Sequence, residues 1–472
     1  MSKNATLRRF KARQNGATML SQVRRLPVIG VILAAGMAAQ PASADAPLPS
    51  GATVAVGSAQ IDGGANSVTV NQSSARAVIN WTGFSVGAGN SVVFNQPDAQ
   101  SATLNRVTGS ASSTIAGQIT SNGAVYLVNP NGIAITASGA IDTRGGFVAS
   151  TLDIADGDFM RGNLAFAGQG ASAGVTNAGT IRAGENAFVA LLGGSVSNSG
   201  TITVPLGKVG LGSGERIALD LNGGNFLQVA VPTALITGSG ALIDSSGTIT
   251  ASGGTVRLLA ATVKDAVRNV INMSGAISAD SAVADGGTIK LLGGDGGLVT
   301  VNGTLSARGG GAAGNGGFVE TSGQAVDLNG IRVDTTATSG KTGQWVIDPS
   351  QALHDFTIAP TGGDISGADL SANLQTNTVI INSNDGVAGS SGDVNFNDTV
   401  SWTSGTALFV SATHSINFSQ TLTATNGAFI ELKADQTGSG SGTVGFSNGA
   451  RVLTSGSIIN IFYNPASYSL TH

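Results

Sequence analysis

No cysteine occurs among the 472 residues, which excludes a disulfide framework and any thiol chemistry. Histidine is nearly as scarce. The three in the chain, His354, His414 and His472, stand apart from one another and in no ligand spacing, so no metal site is expected. Charged residues make up 11% and aromatics 5%, too few large side chains for many thick globular cores. No Gly-x-Ser-x-Gly elbow marks a nucleophile, so catalytic residues and cofactors are expected to be absent. Beyond residue 44 no run reaches the ~18 uninterrupted apolar residues of a membrane span.

The first 44 residues form a separate object. Lys3, Arg8, Arg9, Lys11, Arg13, Arg24 and Arg25 precede the apolar run from Pro27 to Ala39, and Ala42-Ser-Ala44 supplies a small-x-small cleavage site at Ala42 and Ala44. This order of basic, apolar and small residues predicts a signal peptide with a long basic region, and export by the general secretion machinery. Seven of the 23 cationic side chains lie in this stretch and none of the 27 acids, which leaves 16 cations against 27 acids beyond it. Such an acidic excess argues against nucleic acid as a partner.

Glycine is abundant, with 70 residues, and part of it is periodic. A short unit recurs as Gly179-Thr-Ile-Arg-Ala, Gly200-Thr-Ile-Thr-Val, Gly247-Thr-Ile-Thr-Ala, Gly275-Ala-Ile-Ser-Ala and Gly303-Thr-Leu-Ser-Ala. Between these stand strand-like runs such as Ala187-Phe-Val-Ala-Leu-Leu, Gly254-Thr-Val-Arg-Leu-Leu and Gly287-Thr-Ile-Lys-Leu-Leu. Short β-branched runs closed by Gly, Asn or Ser, with no helical periodicity, predict an all-β right-handed parallel β-helix (β-solenoid) with an amino-terminal cap. Glycine is expected at corners that need positive φ. At about 20 residues per turn, the chain beyond the signal peptide would make roughly 20 coils.

The most specific stretch is Gly123-Ala-Val-Tyr-Leu-Val-Asn-Pro-Asn-Gly-Ile-Ala-Ile135. Asn129, Pro130, Asn131 and Gly132 suit the four positions of a type I turn between two short strands. Upstream lie Val78-Ile-Asn-Trp-Thr-Gly-Phe-Ser-Val-Gly-Ala-Gly-Asn90, Val93-Phe-Asn-Gln-Pro97 and Leu104-Asn-Arg-Val-Thr-Gly109. Together these segments resemble the amino-terminal secretion domain of filamentous haemagglutinin-type exoproteins, the cargo of two-partner secretion. The resemblance is dense from about Ala52 to Leu221. It implies a partner in the outer membrane, a β-barrel transporter that recognises this domain. On that resemblance the recognition residues are Asn129, Pro130, Asn131 and Gly132, with Asn105 and Arg106 as weaker members.

The expected organisation is a signal peptide over 1–44, a secretion β-helix over 45–300, further coils over 301–345, and a looser, truncated solenoid over 346–472. Gly340-Lys-Thr-Gly-Gln-Trp-Val-Ile-Asp-Pro349 marks the last boundary and resembles a segment that follows the secretion domain in such exoproteins. The implied protein is not an enzyme but a secreted or cell-surface adhesin, a bacterial virulence factor with a host-cell or surface ligand. Two other readings stand beside it, a β-helix enzyme acting on polysaccharide and a truncated remnant. The enzyme would need three or more acidic side chains aligned on consecutive coils, with aromatic platforms drawn from Trp81, Trp345 and Trp402. Asp153-Ile-Ala-Asp-Gly-Asp158 is the densest acidic cluster but lacks the spacing of a calcium loop.

Overall fold

The computed structural model describes residues 47–232, 240–261, 268–294, 296–350, 354–383 and 391–462. The signal peptide and its cleavage residues Ala42 and Ala44 lie outside the described residues, as does His472.

One sheet of fifteen strands runs from Thr53–Val56 to Ile458–Phe462, and each strand pairs with the strand one coil before it. The coil through the Asn129 turn shows the plan. Ala124–Val128 lies in this long sheet, Ile133–Ile135 in an eight-stranded sheet and Ala140–Thr143 in an eleven-stranded sheet, after which Gly146–Ser150 returns to the long sheet. Pairing is parallel and in register, as in Ile141 opposite Ile119 below and Ile181 above. A parallel β-helix with three faces results. Its first two strands are the exception: Thr53–Val56 and Ala59–Gly63 pair antiparallel with Arg76–Trp81 and Ser67–Gln72. These two strands cover the open end of two sheets, which would otherwise template edge-to-edge association.

Inward positions form a continuous apolar column. On the long sheet it runs Val125, Phe147, Val189, Val209, Val256, Ile289, Val319 and Trp345, all buried. The tryptophans Trp81, Trp345 and Trp402 all lie in this interior, at most 1% exposed. They offer no platform to a sugar.

The coils are fewer and longer than the sequence repeat suggests. The long sheet has fourteen parallel rungs among the described residues, not about 20. Strand starts at Phe188 and Lys208 are one bare turn apart, whereas Lys208 and Thr255 are separated by an excursion. One such excursion carries the helix Asp156–Arg161 and the strand Leu164–Ala167. Another carries Arg216–Leu219 and Leu227–Val231, and the three strands join as an antiparallel sheet.

This small sheet explains a second core. Outward positions of the long sheet read Val78, Leu104, Tyr126, Val148, Ala190 and Gly210, then Arg257, Lys290 and Glu320. The apolar part of that column packs beneath Phe159, Leu164, Phe166, Ile217, Phe226 and Leu227. Strands covered on both faces are apolar throughout, such as Phe188–Gly193, whereas Thr255–Ala260 alternates.

The recurring Gly-Thr-Ile glycines also have a reason other than the expected one. None of Gly179, Gly200, Gly247, Gly275 and Gly303 has a positive φ. They stack one above another instead. A Cβ on Gly200 would stand 2.1 Å from the carbonyl oxygen of Gly179, and one on Gly247, 2.1 Å from that of Gly200. A second column, Gly254, Gly287, Gly317 and Gly343, leads into the long-sheet strands with the same 2.1 Å contacts. Close approach between coils, not left-handed backbone, fixes these glycines.

The eleven-stranded sheet ends at Arg332–Asp334, and a four-stranded and a three-stranded sheet take over beyond it. The long sheet passes through this junction unbroken, with Gln344–Pro349 paired to Phe318–Gly323 and Thr378–Ser383. One coil here replaces a strand with the helix Gly367–Leu374, capped by Ser366, whose Oγ accepts from the Asp369 N–H. Replacing Ser366 by alanine is expected to destabilise the protein by about 1 kcal/mol, read from the urea midpoint.

Asp364 lies beside this helix and is 4% exposed. Burial raises its carboxyl to about 6, against the pull of the Thr357 N–H and of His354, whose Nε2 stands 3.7 Å away. A folded pKa above the unfolded 3.8 means that the native state holds the proton more tightly. This group therefore favours folding at low pH, and that contribution is lost as pH rises from about 4 through about 6. Asp364→Asn is expected to flatten the pH dependence of stability in that window, by at most about 1.4 kcal/mol per pH unit.

Candidate functional site

The turn Asn129–Gly132 forms the corner between the long sheet and the eight-stranded sheet. The Gly132 N–H donates to the Asn129 carbonyl at 3.1 Å, the bond that closes a four-residue turn. Gly132 has φ 113°, where a side chain would be strained.

The four residues divide into a buried and an exposed half. Asn129 is fully buried, and its Nδ2 donates to the Ala111 carbonyl at 3.0 Å and to Ser113 Oγ at 2.9 Å, both one coil below. Its Oδ1 accepts from the backbone N–H and from Nδ2 of Asn131, each at 3.0 Å. Its own N–H reaches upward to the Ser150 carbonyl at 2.9 Å. Asn129 therefore ties three successive coils together. Pro130 and Asn131 are exposed, with Asn131 Nδ2 donating to the Gly109 carbonyl at 2.9 Å.

Asn105 and Arg106 come out on opposite faces. Asn105 points inward, fully buried, where its Oδ1 accepts from Trp81 Nε1 at 3.1 Å and its Nδ2 donates to the Tyr126 carbonyl. Nothing outside the folded domain can touch it. Arg106 points outward onto the acidic cluster. Its Nε donates to Asp153 at 2.8 Å and its Nη1 to Asp156 at 2.7 Å, while Nη2 meets the Ile154 carbonyl. Burial alone would lower the guanidinium pKa, but the bonds to the two carboxylates hold it above its usual value. Arg106 thus anchors the excursion that carries the helix Asp156–Arg161 to the long sheet.

The same contacts account for the acidic cluster. Asp153 and Asp156 face Arg106, and Asp158 accepts from Arg161 and Asn163. No spacing rule links Arg106 to acids 47 and 50 residues away, so sequence reasoning had no signal for this pair. Among the described residues, no group of three or more His, Asp or Glu is placed to hold a metal ion. Nor do three acids occupy successive rungs of any sheet: the Asp142 column, for instance, continues as Arg182, Thr203, Thr250, Ser278 and Ser306 before Asp334.

Comparison with known proteins gives this architecture a family. In sequence, the chain is 39% identical over 184 residues to a heme/hemopexin-binding protein of Haemophilus influenzae, covering 37% of this chain and 20% of that one. A second heme/hemopexin-binding protein from Haemophilus influenzae is 41% identical over 90 residues, 19% of this chain and 10% of that protein. The chain thus spans about a fifth or less of the length of these curated relatives. The crystal structure of the HMW1 secretion domain from Haemophilus influenzae superposes with a TM-score of 0.55, over 87% of this chain and all of that one, at 22% identity. That likeness is one of fold, the β-helix. The model of the TPS secretion domain, the domain of two-partner secretion, matches residues 46–303, more than half of the chain, and the chain belongs to that family.

Proposed function

We propose that the protein is a secreted exoprotein, an adhesin of the filamentous haemagglutinin type, exported through an outer-membrane β-barrel transporter that recognises its amino-terminal domain. The observation that carries this reading is the TPS secretion domain itself, spread over residues 46–303 of a β-helix with a closed amino-terminal end. On this reading residues 1–44 direct passage through the general secretion machinery and are removed at Ala44. Residues 45–300 form the secretion domain, 301–345 add coils, and 346–472 continue the solenoid. The chain crosses the inner membrane unfolded, and stacking of each new coil on the last outside the cell favours outward transport. Among the described residues no helix is long and apolar enough to cross a membrane.

Recognition falls to the exposed half of the Asn129–Gly132 corner, Pro130 and Asn131, with Asn129, Gly132 and Asn105 holding the frame and Arg106 fixing the neighbouring excursion. The chain acts by binding, not catalysis. Its tryptophans are interior and its acids are not aligned, which speaks against the polysaccharide-active enzyme. Haem acquisition is a second reading, favoured by the names of the two sequence relatives.

The test is an immunoblot of medium, cell surface and periplasm with and without the cognate transporter. Protein outside the cell only when the transporter is present, starting at Asp45, is the expected result. Retention or degradation in the periplasm in both strains would overturn the exported-adhesin reading and favour a truncated remnant.

A further inference from the structure

A groove of about 390 Å³ opens on the outer face of the long sheet, beside the second core and away from the Asn129 corner. Its floor follows one column of the register, Arg76, Ala102 and Ala124, then Phe188, whose ring lies over Gly146, and Lys208. Two alanines in a row leave a trough, with an arginine at one end and an aromatic ring and a lysine at the other. The next outward column places Tyr126 in the wall, its ring 5.2 Å from Phe159 and 6.0 Å from Phe188.

Two features mark the trough as more than loose packing. Tyr126 is 1% exposed and lines the groove, and among the described residues its hydroxyl has no protein partner yet is not one of the enclosed, unsatisfied atoms, so it is a donor open to the groove. Moreover, the cations around it have no carboxylate partner among the described residues. Arg76 donates to the Phe159 carbonyl and lies over the Phe159 ring at 5.2 Å, Lys208 donates to the carbonyls of Leu221 and Gly223, and Arg144 stands at the rim. Among the described residues Glu185 is the one acid lining the groove, and it is exposed. A phenol donor without an acceptor, cations without counter-charge, and an apolar floor ending at a ring together describe the complement of an anion on a flat apolar body.

We propose that this groove binds a small aromatic carboxylate, its carboxylate held by the Tyr126 hydroxyl and Arg76, and its ring laid over Ala102 and Ala124 toward Phe188. The assignment is independent of how the chain is exported.

The probe is 2-naphthoate, titrated calorimetrically into the purified protein, with 2-naphthalenemethanol and inorganic phosphate as comparators. Saturable 1:1 binding of naphthoate is expected, at least tenfold tighter than the alcohol and not displaced by millimolar phosphate. Tyr126→Phe keeps the ring and its packing but removes the donor, and should weaken binding tenfold or more. Ala124→Leu leaves every charge in place, fills the floor, and should abolish binding. Thermal midpoints of both variants are measured alongside, so that a folding defect is not read as lost affinity. Absence of saturable binding to the wild type overturns the proposal, as does binding that both well-folded variants retain. Displacement by phosphate, or equal affinity for the alcohol, overturns the aromatic carboxylate as the ligand class.

Discussion

Gly247→Ala is expected to destabilise the protein by about 3 kcal/mol, at the upper end of what overpacking a well-packed site costs. The added Cβ would stand 2.1 Å from the Gly200 carbonyl oxygen, 2.7 Å from the Ser199 carbonyl carbon and 2.8 Å from the Gly200 nitrogen. All three are backbone, so no side chain can swing aside. Relief requires separating two coils where Thr248 donates to Gly200 at 2.9 Å and Gly247 to Asn198 at 2.9 Å. Disturbing those bonds adds to the steric term. Native domains hold only about 5–15 kcal/mol in all, so one methyl group should lower the denaturation midpoint visibly. Gly224→Ala is the matched control, since a Cβ there meets nothing within 4 Å and its φ is not positive. It should be neutral or stabilise by a few tenths of a kcal/mol, up to about 1. A Gly247→Ala midpoint as close to wild type as that of the control would remove close coil contact as the reason for the repeat.

That glycine column shows what the sequence could and could not convey. Recurrence of Gly-Thr-Ile was enough to identify coils, and the alternation in strands such as Thr255–Ala260 was enough to place their inner face. Positive φ, expected of corner glycines, holds at Gly132 and Gly146 but not in this column, where the constraint is a carbonyl one coil away and 21 to 47 residues back in sequence. The coil count failed for a related cause: excursions such as the one between Lys208–Ser213 and Thr255–Ala260 lengthen a turn without leaving the register. The second core did leave a trace. Ala124–Val128, Gly146–Ser150 and Phe188–Gly193 are buried at every position, the pattern of strands covered on both faces. At the candidate site, turn chemistry located the Asn129–Gly132 corner, but Asn105 illustrates the limit of reading a polar residue as available. Its parity in the strand places it inward between Ile79 and Leu127, where an asparagine is tolerated because Trp81 supplies a donor.

The corner itself gives the second large effect. Asn129→Ala is expected to lower stability by about 2–4 kcal/mol, because it strips the Ala111 carbonyl and the buried Ser113 hydroxyl of a donor and the Asn131 amide of its acceptor. Asn131→Ala loses bonds made by an exposed side chain to Gly109 and Asn129, and should cost about 1 kcal/mol or less. Pro130→Ala keeps the Gly132-to-Asn129 bond that closes the turn and should lie within about 0.5 kcal/mol of wild type, as for most exposed positions. Export separates these roles where stability alone does not. If the transporter reads the exposed half of the turn, Pro130→Ala and Asn131→Ala reduce secretion while refolding in vitro is nearly unchanged, and Asn129→Ala reduces both together. The informative measurement is therefore the ratio of secreted protein to refolding yield across the three variants. Secretion of Pro130→Ala and Asn131→Ala at wild-type levels would reduce the corner to a device for joining coils, with recognition lying elsewhere on the domain. A fall in secretion without a fall in refolding, confined to those two variants, would separate the signal from the scaffold within four consecutive residues.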